Sequence, residues 1–92
     1  MKDNEETIRF PTNLNRAQIE TRLIQLHAIA LQQGLTDVAE RFADVRAMSA
    51  ANIRNAVLGT LTLISEKPED QRARYNIVSK ALEMIALNLK NL

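Results

Sequence analysis

Apolar side chains recur at intervals of three and four residues along most of this 92-residue chain. An α-helix has 3.6 residues per turn, so residues at this spacing share one face, which is stable in water only against another apolar surface. The chain therefore predicts an all-α fold, a small bundle of about four helices. The strictest run lies near the end, and we expect it to form a partner or oligomer interface: Tyr75, Val78, Leu82, Ile85, Leu89 and Leu92.

Capping residues set the predicted ends of the first three helices. The first helix should begin after Asn15, whose side chain can accept a hydrogen bond from the free amide of Gln18, and should end near Gly34. Thr36 is the expected cap of a short second helix, and Ser49 is the expected cap of the third. These signals divide the chain at points where an apolar stripe is interrupted.

The fourth helix is predicted to begin at Lys67-Pro68-Glu69-Asp70 and to run almost to Leu92. Proline lacks the amide hydrogen that the first turn leaves unpaired, and acidic residues favour the positive end of a helix. Residues 16–92 are thus expected to form one helical bundle domain. Such a small domain buries a modest share of its surface.

Residues 1–15 are expected to form an irregular N-terminal arm, because they are mostly polar and contain Pro11. Within it, Ile8 and Phe10 alternate with polar residues. Alternation is typical of a short strand or of an arm that docks on a partner, but termini usually fray, and we favour a frayed tail.

The segment 57–64 fits two secondary structures. Threonines alternate with leucines there, which is typical of a strand, and Gly59 costs a helix up to about 1 kcal/mol. We favour a helix because Ala50 to Ala56 continues smoothly into the segment and no comparable partner strand exists.

Composition excludes several classes of function. The net charge of +1 gives no strong field for polyanions or membrane surfaces. The absence of cysteine removes disulfides and thiolate chemistry, and no run of about 18 apolar residues predicts a membrane span. The polar, acidic start does not resemble a secretory signal, so we expect a soluble cytoplasmic protein.

No catalytic or metal-binding group is apparent. His27 is the only histidine, and position 24 is Ile24 where a di-iron helix would place glutamate. Glu40 and Asp44 lie one turn apart, but paired acids on a solvated helix face are common. We therefore expect no enzyme, no cofactor, no metal and no small-molecule substrate.

One segment resembles a helix-turn-helix DNA-binding motif over residues 38–57. The resemblance rests on the spacing of six residues: Phe42, Ala43, Ala47, Met48, Ile53 and Ala56. It implies a third helix that enters the major groove of DNA as part of a dimeric regulator. The residues it places toward DNA are Arg46, Asn52, Arg54 and Asn55. Arg46 stands where such motifs usually bury an aliphatic residue, and the chain lacks a strong basic surplus.

The interpretation we favour is a non-enzymatic protein-interaction module, such as a regulator, adaptor or small chaperone. The first and fourth predicted helices each carry a second apolar flank, which one neighbouring helix would not cover. A homo-oligomer or an unidentified protein partner would cover it. A partner helix would lie along either helix, oriented by Arg72, Arg74, Lys80 and Lys90.

Overall fold

The structure, a computed structural model, describes residues 11–92 and confirms an all-α fold for them. The five α-helices are α1 (Arg16–Gln32), α2 (Thr36–Arg41), α3 (Ala50–Ser65), α4 (Glu69–Arg72) and α5 (Asn76–Ala86). Three 3-10 turns lie between or after them: Val45–Ala47, Ala73–Tyr75 and Leu89–Asn91. The segment 57–64 is helical, as expected. The predictions for Ile8 and Phe10 lie outside the described residues.

Two of the predicted caps form as expected. Asn15 and Gln18 make a complete capping box, in which each side chain accepts a hydrogen bond of 2.9 Å from the other residue's backbone amide. Ser49 Oγ accepts a bond of 3.1 Å from the amide of Asn52. Gly34 has φ +73°, a left-handed conformation that glycine adopts without strain, and it turns the chain at the end of α1.

Two boundary predictions are wrong. Thr36 is the first residue of α2 and not its cap, which is Leu35. The carboxylate of Asp37 accepts from the amide of Val38, which also donates to the carbonyl of Leu35. The predicted fourth helix is divided: α4 gives way to the 3-10 turn Ala73–Tyr75 before α5 begins.

The core lies where α1 packs against α2 and α5, and where α3 packs against α5 and α2. Aliphatic side chains fill it, with Phe42 and Tyr75 as its rings. The buried face of α1 consists of Ile19, Leu23, Leu26 and Ala30. The second apolar flank predicted for the first helix, Ile24, Ala28, Leu31 and Leu35, is only partly covered: Leu35 is buried, Ile24 is half-buried, and Ala28 and Leu31 are exposed.

Asn88 connects the residues before α1 to the last part of the chain through side-chain hydrogen bonds. Its side chain is fully buried, and its Oδ1 accepts from the amide of Leu14 at 2.9 Å. Its Nδ2 donates to the carbonyls of Pro11 and Met84 at 2.8 and 3.0 Å. Asn91 adds a bond of 2.9 Å from Nδ2 to the carbonyl of Leu14. Residues 11–15 are non-helical, as expected of the arm, yet they are held in place.

Within residues 11–92, every helix is too short or too polar to span a lipid bilayer.

Candidate partner-binding groove

The structure places five of the six predicted interface residues inside the chain itself. The exposed fraction of Tyr75, Val78, Leu82, Ile85 and Leu89 is between 0 and 6%, and only Leu92 is half-buried. These side chains pack against the rest of the bundle. Their contact with a partner stays a prediction. The surface that this chain leaves open to a partner consists of other residues.

A groove between α3 and α5 offers such a surface. The connection between Ser65 and the start of α4 is short, so the chain folds back and α5 packs along α3 as a helical hairpin. The open side of this hairpin holds a cavity of about 400 Å³. It is lined by Leu61, Ile64, Ser65, Arg72, Asn76, Ser79 and Glu83.

Two exposed leucines stand one helical turn away from residues that line this cavity, although neither of them lines it. Leu58 lies about one turn before Leu61 on α3, and Leu87 lies one turn after Glu83, just past the end of α5. Residues three or four apart share a helix face, so both leucines extend the walls in which Leu61 and Glu83 stand. Each leucine is 50% exposed. The hairpin therefore presents a cavity in one half and two protruding leucines in the other.

Charged residues surround the groove without pairing in the chain. Arg72 and Glu83 line the cavity, but the described residues contain only two ion pairs, Arg16 with Glu20 and Lys67 with Asp37. Exposed charges at the rim of an interface set orientation and partner choice more than affinity. The groove thus has an apolar floor and charged edges, as protein interfaces often do.

The segment that resembles a helix-turn-helix departs from that motif in its turn. The motif joins its helices by three or four residues. Here α2 ends at Arg41 and α3 begins at Ala50, and the eight residues between them include a 3-10 turn. The structure exposes Arg46, Asn52 and Asn55 and half-buries Arg54. The tight crossing that would present α3 to DNA is therefore not formed.

A polar cluster that the sequence did not reveal joins α2 to the loop before α4. Asp37 Oδ2 lies 3.0 Å from Lys67 Nζ and accepts from the Tyr75 hydroxyl at 3.1 Å. Lys67 Nζ also stands 5.3 Å from the centre of the Tyr75 ring, within reach of a cation–π contact. The three residues are 30 and 8 positions apart in the chain, and no motif links them.

These contacts shift both charged groups toward their ionised forms. Burial raises the pKa of Asp37, but hydrogen bonds from Lys67, Tyr75 and the amide of Val38 outweigh it and hold that pKa below its ordinary value. The hydrogen bond to Asp37, with a further contribution from Tyr75, raises the pKa of Lys67. The cluster is a structural ion pair beside an aromatic ring, and none of its three residues lines any of the three cavities described here.

His27 takes part in a local contact. Its Nδ1 lies 2.9 Å from the carbonyl oxygen of Ala39, and because a carbonyl only accepts, this nitrogen carries the proton. The ring faces a cavity of about 200 Å³ that Phe42 and Asp44 also line. In residues 11–92, no three histidine or acidic side chains converge as a metal centre would require. His27 ties α1 to the end of α2.

Comparison with known proteins finds no matching family model, no matching curated protein and no matching solved structure.

Proposed function

We propose that this chain is a non-enzymatic protein-interaction module that binds a helical protein surface in the groove between α3 and α5. The observation that carries the proposal is the exposure of Leu58 and Leu87, at 50% each, one helical turn from an open cavity that has Leu61 and Ile64 on its floor. Fully burying one leucine side chain contributes about 1.5–3 kcal/mol, and because each of these two is half exposed, a partner that covers them would supply part of that stability.

A helix is the partner structure that fits the groove best. Its floor is formed by side chains from two packed helices, and a third helix packs on such a pair by placing its ridge between theirs. Arg72 and Glu83 at the walls would meet polar groups that flank the partner's apolar stripe. The sequence suggests a partner along the first or the fourth predicted helix, and the groove lies along the fourth, with Arg72, one of the expected orienting residues, in its wall.

The sequence also suggested a dimeric DNA-binding regulator, and its support is now weaker. The exposed residues Arg46, Asn52 and Asn55 remain available, but the long connection between α2 and α3 lacks the geometry that the motif requires. A mobility-shift assay with duplex DNA over a range of salt concentrations tests this alternative. Binding that is lost in Arg54→Ala would favour it over the groove.

Site-specific photo-crosslinking in the cell that makes the chain tests the proposal. A benzophenone amino acid replaces Leu58 or Leu87 in two variants, and Leu31 in a control. Leu31 is 55% exposed on α1, which contributes nothing to the groove. We expect protein adducts from positions 58 and 87 and none from position 31. The adduct from position 58 should disappear when Leu87→Asp is added.

Equal crosslinking at all three positions, or adducts at neither groove position, would contradict the proposal. The first result would mean that exposed leucines meet other proteins at random. The second would mean that the groove stays open to solvent.

A further inference from the structure

One side of α5 carries an apolar flank that is only partly covered. Ile77, Ala81 and Met84 lie four and three residues apart, so they share one face of the helix. Ile77 is 56% exposed, and the other two are half-buried. The groove lies on the opposite side of α5, where Ser79 and Glu83 line it, and the buried face of the helix separates the two. The flank is therefore a second open surface, independent of the groove.

The described chain begins beside one end of this flank. Asn88 continues the same helix face four residues after Met84, and its Nδ2 donates to the carbonyls of both Pro11 and Met84. Thr12 accepts instead from Asn91 Nδ2, at 3.4 Å. Followed back from Thr12 to Pro11, the chain moves from Asn91 toward Met84. At Pro11 it is therefore directed along the flank, toward the start of α5.

The residues that precede Pro11 have an apolar pattern that fits this flank. Ile8 and Phe10 alternate with polar residues, so in an extended chain their side chains point to the same side. Phe10 favours extended backbone because a proline follows it. Side chains two residues apart in an extended chain are separated by about 6.6 Å, and one helical turn rises about 5.4 Å. With Phe10 at Met84, Ile8 would thus lie about one turn further along the flank.

Charges match in the same arrangement. Glu5 and Glu6 precede Phe10 by five and four residues, which is about 13–18 Å of extended chain. Arg74, one turn before the first residue of the flank, precedes Met84 by ten residues, which is about 15 Å of helix. Arg74 is exposed, and among residues 11–92 it takes part in no ion pair. The arrangement therefore brings two acidic residues to a basic one.

A second surface near the start of the described chain suits these residues less well. A cavity of about 520 Å³ begins at Leu14 and follows the first half of α1. Apart from Leu14 and Ala17, the residues that line it are polar, so it would surround Ile8 and Phe10 mostly with hydrophilic groups. The removal of apolar surface from water favours the flank of α5 instead.

We propose that residues 1–10 dock along this flank of α5, with Phe10 against Met84. The chain itself is then the partner that covers the flank. The sequence alone favours a frayed tail here, but Asn88 holds the backbone of Pro11 in place. A segment with one end already fixed binds at a high effective concentration, so a few apolar contacts are enough to dock it.

Oxidation of methionine by hydrogen peroxide tests the inference in the full chain. Met84 and Met48 are both half-buried, but only Met84 lies on the flank, so Met48 is an internal reference. Oxidation converts the thioether to a sulfoxide where the sulfur is accessible. Mass spectrometry of peptides from a time course gives the rate at each position.

Two matched variants separate docking from other effects. Ile8→Ala/Phe10→Ala removes the apolar side chains, and Thr7→Ala/Arg9→Ala truncates their neighbours on the other side of the extended segment. We expect Met84 to oxidise about 3- to 10-fold faster in the first variant, because the rate follows the population in which its sulfur is exposed. In the second variant the rate should equal that of the unchanged chain.

Two results would overturn the inference. Equal rates at Met84 in all three chains would mean that residues 1–10 do not cover the flank. A rise at Met48 equal to the rise at Met84 would mean that the first variant loosens the whole fold. None of these variants alters the groove, so the inference can fail while crosslinks from positions 58 and 87 still support the proposed function.

Charge reversal tests the order of residues along the flank. Glu5→Lys/Glu6→Lys should speed the oxidation of Met84 by about 2- to 5-fold at low salt, because like charges then meet at Arg74. Adding Arg74→Glu should restore the original rate. Oxidation that stays fast in the triple variant would show that these charges do not meet, and would overturn the arrangement proposed.

Discussion

Asn88 shows how one side chain can decide the position of a whole segment. Its side-chain amide forms hydrogen bonds with the backbone of Leu14 and Pro11, which are 74 and 77 residues away in the sequence. The Asn88 side chain is fully buried. Sequence reasoning overlooked it, because an asparagine within an apolar run is usually taken as a surface residue, and only the fold brings residues 11–14 to the end of α5.

Replacing Asn88 with alanine should destabilise the fold by about 2–4 kcal/mol. The change leaves the buried amide of Leu14 and the half-buried carbonyl of Pro11 without partners; a buried group left unpaired costs about 1–3 kcal/mol, and the half-buried carbonyl should add less. Asn91→Ala is the matched control, since the bonds of Asn91 are less buried, and it should cost less than about 1 kcal/mol. Urea denaturation measures both, and equal losses would contradict the role given to Asn88.

The Asp37–Lys67 pair makes stability depend on pH in a defined direction. Because the pKa of Asp37 is lowered in the fold, its contribution is present above the ordinary aspartate value of about 3.9 and is lost as pH falls through the folded value. Because the pKa of Lys67 is raised, its contribution is present below the ordinary lysine value and is lost as pH rises through the folded value.

Asp37→Asn should therefore be less stable than the unchanged chain at pH 7, by less than about 1 kcal/mol because the pair is partly open to solvent. The difference should shrink as the pH falls through the lowered folded pKa of Asp37, because below it both chains are neutral at position 37. Urea denaturation at a series of pH values measures it. A difference that persists unchanged in acid would show that charge plays no part in the pair.

At the scale of the elements, the helix ends that depend on contacts between neighbouring residues in the sequence are the ones that the sequence predicts best. The capping box at Asn15, the cap at Ser49 and the turn at Gly34 involve neighbours in sequence, and all three form. The 3-10 turn Ala73–Tyr75 was not predictable in this way. It lies within a run that reads as continuous helix, and it ends at Tyr75, whose hydroxyl donates to Asp37 in a distant part of the chain.

The two glycines should respond to alanine in opposite directions. At Gly59, inside α3, the nearest atom to an added Cβ would be the guanidinium nitrogen of Arg41, at 3.4 Å and at the end of a flexible side chain. Gly59→Ala should stabilise the chain by about 0.5–1 kcal/mol through helix propensity. Gly34→Ala should destabilise it by about 1 kcal/mol, since φ is +73°.

Thermal unfolding of the two variants followed by circular dichroism measures these shifts. A loss of stability in Gly59→Ala would mean that Arg41 cannot yield and that α2 and α3 are packed more rigidly there than the contact implies.

At the scale of the whole molecule, the sequence predicted the bundle but not which apolar residues face outward. Periodicity located the stripe from Tyr75 to Leu89, and the structure uses it for the core of a single chain. The groove arises because α5 folds back along α3. Leu58 and Leu87, which fall outside the strict stripes, are exposed one helical turn from residues that line it. The spacing of apolar residues within one helix does not determine how that helix packs against the others.

We propose that Leu58 and Leu87 contact another chain, whereas Leu82 stabilises the fold from within the core. Urea unfolding at several concentrations, extrapolated to infinite dilution, tests it directly. Leu58→Asp/Leu87→Asp should then unfold within about 0.5 kcal/mol of the unchanged chain, as expected of surface positions. Leu82→Asp, which puts a charge at a fully buried site, should fail to fold. A loss of about 2 kcal/mol or more in the double variant would place both leucines in the core and contradict the claim.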